Sequence, residues 1–171
     1  AERDDLIVAA GHFHPERHIG KVVRLEVGDI GRFFEEQQQM TVMVTGGNGF
    51  IGQRIVRILL ARGEEVVSFD MAPPRSGSLN ESDKFSFYRG DITQIPHLTE
   101  AINANSVDRI IHMAALLPPD TEDRPHFGML VNIQGTNNVC EVARWTGVQR
   151  VVYASSVSVY GTQEPFGDRL I

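Results

Sequence analysis

The chain has 171 residues, a net charge of −6 at neutral pH, and 42% apolar against 22% charged side chains. That length suits one well-buried domain and excludes two of ordinary size, while the acidic balance without a basic stripe excludes a nucleic-acid surface. Apolar runs are only a few residues long and the first residues lack a secretory pattern, so neither a membrane span nor export is expected. The one cysteine, Cys140, excludes an internal disulfide and fits a reducing, cytoplasmic setting; its apolar helical surroundings mark it as a core residue.

Residues 1–39 stand apart from the rest of the chain. Asp5 to Ala10 and Lys21 to Val27 each have the pattern of a strand. The loop between them carries His12, His14, Glu16 and His18, which have the chemistry of metal ligands, yet no second cluster completes a site and no metal is expected. Glu35 to Gln39 then forms a polar connector. This leader is an extension whose origin stays open between an added subdomain, a piece of another polypeptide and an over-extended start; residues 40–171 form the domain proper.

Thr41 to Thr45 is a β-branched run that empties into Gly46-Gly47-Asn48-Gly49-Phe50-Ile51-Gly52. Gly47, Gly49 and Gly52 satisfy G-x-G-x-x-G, and Gly46, Gly49 and Gly52 with Thr45 satisfy T-G-x-x-G-x-x-G. Such a turn reverses a strand into a helix, lets backbone N–H groups approach a pyrophosphate, and packs helix on strand. A helix from about Phe50 to Arg62 comes next, with Ile51, Ile55, Ile58 and Leu59 on one face and Gly63 at its C-cap. The second strand, Glu65 to Asp70, ends on an acid placed where a carboxylate meets the adenosine ribose hydroxyls of a dinucleotide. Asp70 favours NAD, since a 2′-phosphate there meets negative charge; Arg75 softens that choice and leaves NADP as the less favoured cofactor.

Met71 to Asp83 is rich in Pro, Ser and Gly and is expected as a loop. Lys84 to Arg89 is a third strand, Ile95 to Asn103 a helix, and Asp108 to Ala115 a fourth strand whose apolar run predicts burial on both faces. His112 within it is expected as a hydrogen-bonded core residue rather than a catalytic base. Pro118-Pro119-Asp120 breaks the chain into a loop, a long helix runs from about His126 to Thr146 with Gly147 as its cap, and Arg150 to Ala154 is a fifth strand. Strands alternating with helices predict an α/β fold, a doubly wound parallel sheet covered on both faces.

From Met40 to Gly161 the sequence resembles the first two-thirds of the cofactor half of an extended short-chain dehydrogenase/reductase, of the NAD-dependent epimerase/dehydratase family. The ordered series is the glycine segment, Asp70, Gly90-Asp91-Ile92, His112-Met113-Ala114-Ala115, Arg124-Pro125, Asn132 with Gly135-Thr136, and Ser155-Ser156 before Val159-Tyr160-Gly161. The resemblance implies a Rossmann-like fold in which Gly46, Gly49, Phe50, Ile51 and Gly52 hold the pyrophosphate of NAD and Asp70 its adenosine ribose. It implies that Asp91 and Ile92 flank adenine, Ala114 and Ala115 line the nicotinamide side, and Asn132 steadies the neighbouring strand ends. Ser155 is counted with the cofactor residues, and Ser156 takes the place of the catalytic serine or threonine that hydrogen-bonds the substrate oxygen.

The family also relies on a Tyr-x-x-x-Lys pair beyond that serine, and no such pair occurs in these residues; neither Tyr153 nor Tyr160 has a lysine four positions on. The sheet is therefore expected to be incomplete at its C-terminal side, with the fifth strand at an open edge that associates with a second copy or a complementing segment. Hydride transfer on a nucleotide sugar or related hydroxyl compound is implied for a complete enzyme, and no turnover for this chain alone. A non-catalytic, NAD(P)-binding regulatory module is the alternative.

Overall fold

The computed structural model describes residues 8–12, 40–74 and 82–156, of which 8–12 by their backbone alone. The second predicted strand of the leader, Arg75, and His14, Glu16 and His18 lie outside the described residues. Strand β1 covers Val8–His12, β2 Thr41–Thr45, β3 Glu65–Asp70, β4 Phe85–Arg89, β5 Arg109–His112 and β6 Arg150–Ala154. They form one sheet in the order β1-β6-β5-β2-β3-β4, in which β2 to β6 pair in parallel and β1 joins antiparallel. Parallel neighbours require crossovers, and the helices of those crossovers bury both faces.

Residue alternation along the strands decides which face each side chain serves. Val42, Val44 and Val66 pack with Val56 and Leu59 of helix α1, Phe50–Ala61, on one face. Met43, Val67, Phe69, Ile110 and Val151 face the other way, onto Leu98, Ala101 and Ile102 of α2, Ile95–Ala104, and onto Val139, Val142 and Ala143 of α5, Thr136–Thr146. Every residue of β2 is buried, as expected of the strand with neighbours on both edges and helices on both faces. Leu98 and Ile110 are fully buried, each stabilising the fold by about 2 kcal/mol.

Several sequence expectations are corrected. Helix α1 buries Gly52, Val56 and Leu59, while Ile51 and Ile58 are exposed, because the inward stripe follows the glycine that packs against the turn at Gly46 and Gly47. β5 stops at His112, beyond which the Met113 N–H is taken by the Thr45 carbonyl at 3.0 Å. The Pro118 to Asp120 break leads into a short helix, α3, Asp120–Asp123. The long helix divides into α4, Pro125–Met129, a π-helical segment, Leu130–Gly135, and α5. Gly63 and Gly147 take left-handed φ angles of 82° and 77° just past α1 and α5. Cys140 is half-buried, and burial, with Glu141 beside it, pushes its thiol pKa up.

The open edge is also corrected. β6 is paired along its whole length with β1, from Val8 opposite Ala154 to His12 opposite Arg150, so leader residues occupy the position expected to be bare. Unpaired ladder groups beside a buried strand are costly, and a short antiparallel segment satisfies them without a crossover helix. The described strand thus runs past Ala10, where its pattern was expected to end, and takes in His12. No helix among the described residues is long and apolar enough to cross a membrane.

Candidate functional site

The parallel strands run β4-β3-β2 in one direction from the centre and β5-β6 in the other, so their order reverses between β2 and β5. Crossovers leave opposite faces at that point and open a crevice at the carboxyl ends of the strands, the usual ligand position in such sheets. A cleft of about 310 Å³ lies there, lined by Gly46, Gly49, Asp70, Asp91, Ala114 and their neighbours.

The glycine turn is built for close approach. Gly46 has φ +66°, and a Cβ on it would meet the Ala114 backbone at 2.8 Å, so the strand ends of β2 and β5 touch only because no side chain intervenes. A Cβ on Gly52 would overlap the Gly46 carbonyl oxygen. Helix α1 starts after Gly49 with no side-chain cap and no acid in its first turn. Its first amides have no intrahelical acceptor and the helix dipole places positive potential there, the conditions that favour a bound anion.

Asp70 is tied to this turn. Its Oδ2 accepts from the Asn48 N–H at 3.0 Å and its Oδ1 from the Ala72 N–H at 3.1 Å. Asn48 in turn accepts from Ser68 Oγ at 2.8 Å and donates to the Ala72 carbonyl at 2.5 Å. Each carboxylate oxygen keeps a further lone pair for a hydroxyl donor. The loop after β4 is equally organised: Asp91 Oδ1 accepts from the Thr93 N–H at 2.8 Å, and Ile92 is buried against Gly135.

The opposite wall is held from the π-helical segment. Asn132 clamps Leu116 with both amide atoms, accepting from its N–H at 2.8 Å and donating to its carbonyl at 2.9 Å. Asn138 is buried and donates to the carbonyls of Ile92 and Thr93 at 3.1 and 3.2 Å, fixing the loop after β4 to α5. Sequence reasoning passed over Asn138; an amide on the same helical face as Val139 and Val142 was the available signal. Phe127 and Val131, one helical turn apart, and Met71 and Leu116 also line the cleft and were not expected. The Arg124 guanidinium stacks 5.2 Å over Phe127.

His112 lies 6% exposed beneath this wall. Its Nδ1 is 2.6 Å from Thr45 Oγ1 and its Nε2 3.0 Å from Thr136 Oγ1, and burial lowers its pKa from 6.5 to about 4. It is neutral at pH 7 and, as expected, a hydrogen-bonded core residue.

Of the sequence-predicted residues, Gly46, Gly49, Asp70, Asp91, Ile92, Ala114 and Ala115 converge on the cleft. Phe50, 97% exposed, and Ile51, 53% exposed, project from the first turn of α1 and are not among the residues lining the cleft. Gly52 and Asn132 act from behind the lining. Ser155 and Ser156 come after β6, both exposed, and are the last described residues, so Tyr160 lies outside them. Among the described residues no cluster of side chains has metal-ligand geometry.

A family model for the NAD dependent epimerase/dehydratase family matches residues 42–170, and the chain belongs to that family. It is 40% identical over 129 residues to a UDP-glucose 4-epimerase of Mycolicibacterium smegmatis, covering 72% of this chain and 41% of the relative. It is 38% identical over 123 residues to a 3-beta-hydroxysteroid dehydrogenase of Mycolicibacterium neoaurum, covering 69% and 32%. A UDP-glucose 4-epimerase structure from Stenotrophomonas maltophila, with bound NAD and formylated UDP-arabinopyranose, superposes with a TM-score of 0.66 at 29% identity, covering 73% of this chain and 39% of that one. The chain thus spans about a third to two fifths of the length of these relatives.

Proposed function

We propose that residues 40–171 are the cofactor-binding part of an NAD-dependent oxidoreductase of the epimerase/dehydratase type. The residues fit the group. The glycine turn leaves no room for a Cβ, the α1 N-terminus is free of caps and acids, and the Asp70 carboxylate stands beside both. That convergence on one cleft is the observation that carries the proposal. Amides of Gly49 to Gly52 would hold the pyrophosphate, Asp70 the adenosine ribose, Asp91 and Ile92 the adenine side, and Ala114 and Ala115 the nicotinamide side. Asp70 selects NAD over NADP by charge.

Bound NAD supplies a hydride acceptor. The chain's own contribution is to orient it, with Asn132 and Asn138 fixing the two loops against the sheet. Ser156 would donate its hydroxyl hydrogen to a substrate oxygen. The acid/base pair that completes such chemistry is not among these residues, and these residues alone are proposed to be inactive. The substrate class proposed is a nucleotide sugar or related hydroxyl compound, which the epimerase relatives support and the steroid dehydrogenase broadens. A cytoplasmic setting fits the single cysteine, and the exposed row Met129, Leu130 and Ile133 supports a homo-oligomer.

Calorimetric titration with NAD tests the proposal. One binding event is expected, with NADP weaker, and Asp70→Ala weaker by about tenfold to hundredfold because hydrogen bonds to a charged partner are lost. Absence of heat from folded protein with either nucleotide overturns it.

A further inference from the structure

The hydrogen-bond polarity around His112 can be assigned atom by atom. The Thr136 hydroxyl donates its one hydrogen to the Asn132 carbonyl at 2.8 Å. Its oxygen therefore faces His112 Nε2 as an acceptor, which places the ring proton on Nε2. Nδ1 is then a bare lone pair, and the Thr45 hydroxyl, 2.6 Å away, donates to it. The Thr45 hydroxyl oxygen in turn accepts from the Ala114 amide at 3.4 Å and, at 3.2 Å, from the Met113 amide that it shares with the Thr45 carbonyl. Asn132, at the other end of the chain of bonds, grips Leu116. The segment from Met113 to Leu116 is thus held at both ends by one circuit that passes through the imidazole.

Resting on the dinucleotide role proposed for the cleft, we infer that His112, as the neutral Nε2–H tautomer, is a positioning residue that fixes the Ala114–Ala115 wall against which the nicotinamide half of the cofactor lies. The ring is not among the residues that line the cleft. It joins the strand that feeds the glycine turn to Thr136 at the start of α5 and, through it, to Asn132 of the π-helical segment, so that both sides of the crevice share one hydrogen-bond direction. A second proton on the ring has no acceptor, because the Thr45 oxygen already receives two amides and its hydroxyl would lose its own partner. Burial disfavours the charged ring in the same sense.

The test uses the full chain without nucleotide, labelled with nitrogen-15. The His112 resonances, assigned by their loss in His112→Gln, are expected at pH 7 as a pyrrole-type Nε2 and a pyridine-type Nδ1. The Nδ1–H tautomer or an imidazolium overturns the inference. Thr136→Val is expected to quicken amide exchange at Ala114 and Leu116 by about tenfold relative to Val67 of β3, and Thr136→Ser to restore it, since one hydrogen bond is removed and then replaced. Unchanged exchange in Thr136→Val, or equal loss in the serine variant, overturns the positioning role. These readings need no cofactor, so a wild-type protein that shows the tautomer and the exchange pattern but binds no NAD refutes the dinucleotide role alone. Where NAD binds, its affinity is expected to fall about tenfold in Thr136→Val and less than about threefold in Thr136→Ser.

Discussion

Acidification should destabilise this fold through one residue, well before carboxylates titrate. His112 is folded as a neutral ring with its pKa lowered by burial from 6.5 to about 4. In the unfolded chain it takes up a proton near pH 6.5, a proton the native state refuses until about pH 4. Its contribution to stability is therefore complete above pH 6.5, declines as pH falls through the interval from 6.5 to 4, and is gone below it. A separation of that size corresponds to about 3 kcal/mol in all, of which about 2 kcal/mol is lost between pH 7 and pH 5. Urea denaturation of wild type and His112→Gln at pH 7, 6 and 5 isolates the effect, because the other five of the six histidines are common to both proteins and cancel. The variant is less stable at pH 7, as it loses a satisfied ring, but its stability falls less steeply with acid, by up to about 1.4 kcal/mol per pH unit. Parallel pH profiles for the two proteins would refute the buried, neutral imidazole and with it the bond directions drawn around Thr45 and Thr136.

Gly52→Ala pushes a methyl group into the Gly46 carbonyl and should abolish NAD binding in titration while leaving far-ultraviolet circular dichroism near wild type. Asn138→Ala leaves the buried carbonyls of Ile92 and Thr93 without their donor and should cost about 1–3 kcal/mol in urea denaturation; a change below a few tenths would show that water replaces the amide. Removal of residues 1–39 takes β1 away and bares β6, so light scattering should show self-association rising with concentration, whereas the full chain at equal concentration shows less. Equal behaviour of the two would mean that the β1 pairing does not protect the edge.

Much of the fold could be read from local pattern. Thr41 to Thr45, the helix beginning at Phe50, and Glu65 to Asp70 announce themselves through β-branching, glycine placement and apolar spacing, and the observed β2, α1 and β3 agree with them closely. Position within a sheet is a different matter. Ile51 and Ile58 satisfy a helical apolar face in the sequence, yet they are exposed, because Gly52 packs against the turn at Gly46 and Gly47 and so sets the rotation of α1. Likewise a strand such as Arg150 to Ala154 carries no mark of its neighbour, and β1 pairs with it from a segment more than a hundred positions earlier.

The site divides along the same line. Glycine spacing and a strand-end acid are local requirements of chain reversal and charge, so Gly46, Gly49, Gly52 and Asp70 are legible in one dimension. His112 was legible as a hydrogen-bonded core residue and Asn132 as a brace, but the circuit that links them through Thr45 and Thr136 is not, because its long-range bonds join residues from separate elements. Hydrogen-bond satisfaction in a buried volume depends on what the fold brings within about 3 Å, and that distance has no representation in sequence order. The sequence alone determined the five parallel strands, most of the helices and the glycine turn; only tertiary packing decided which edge strand pairs with β6, which face of α1 is hidden, and how the wall at Ala114 is held.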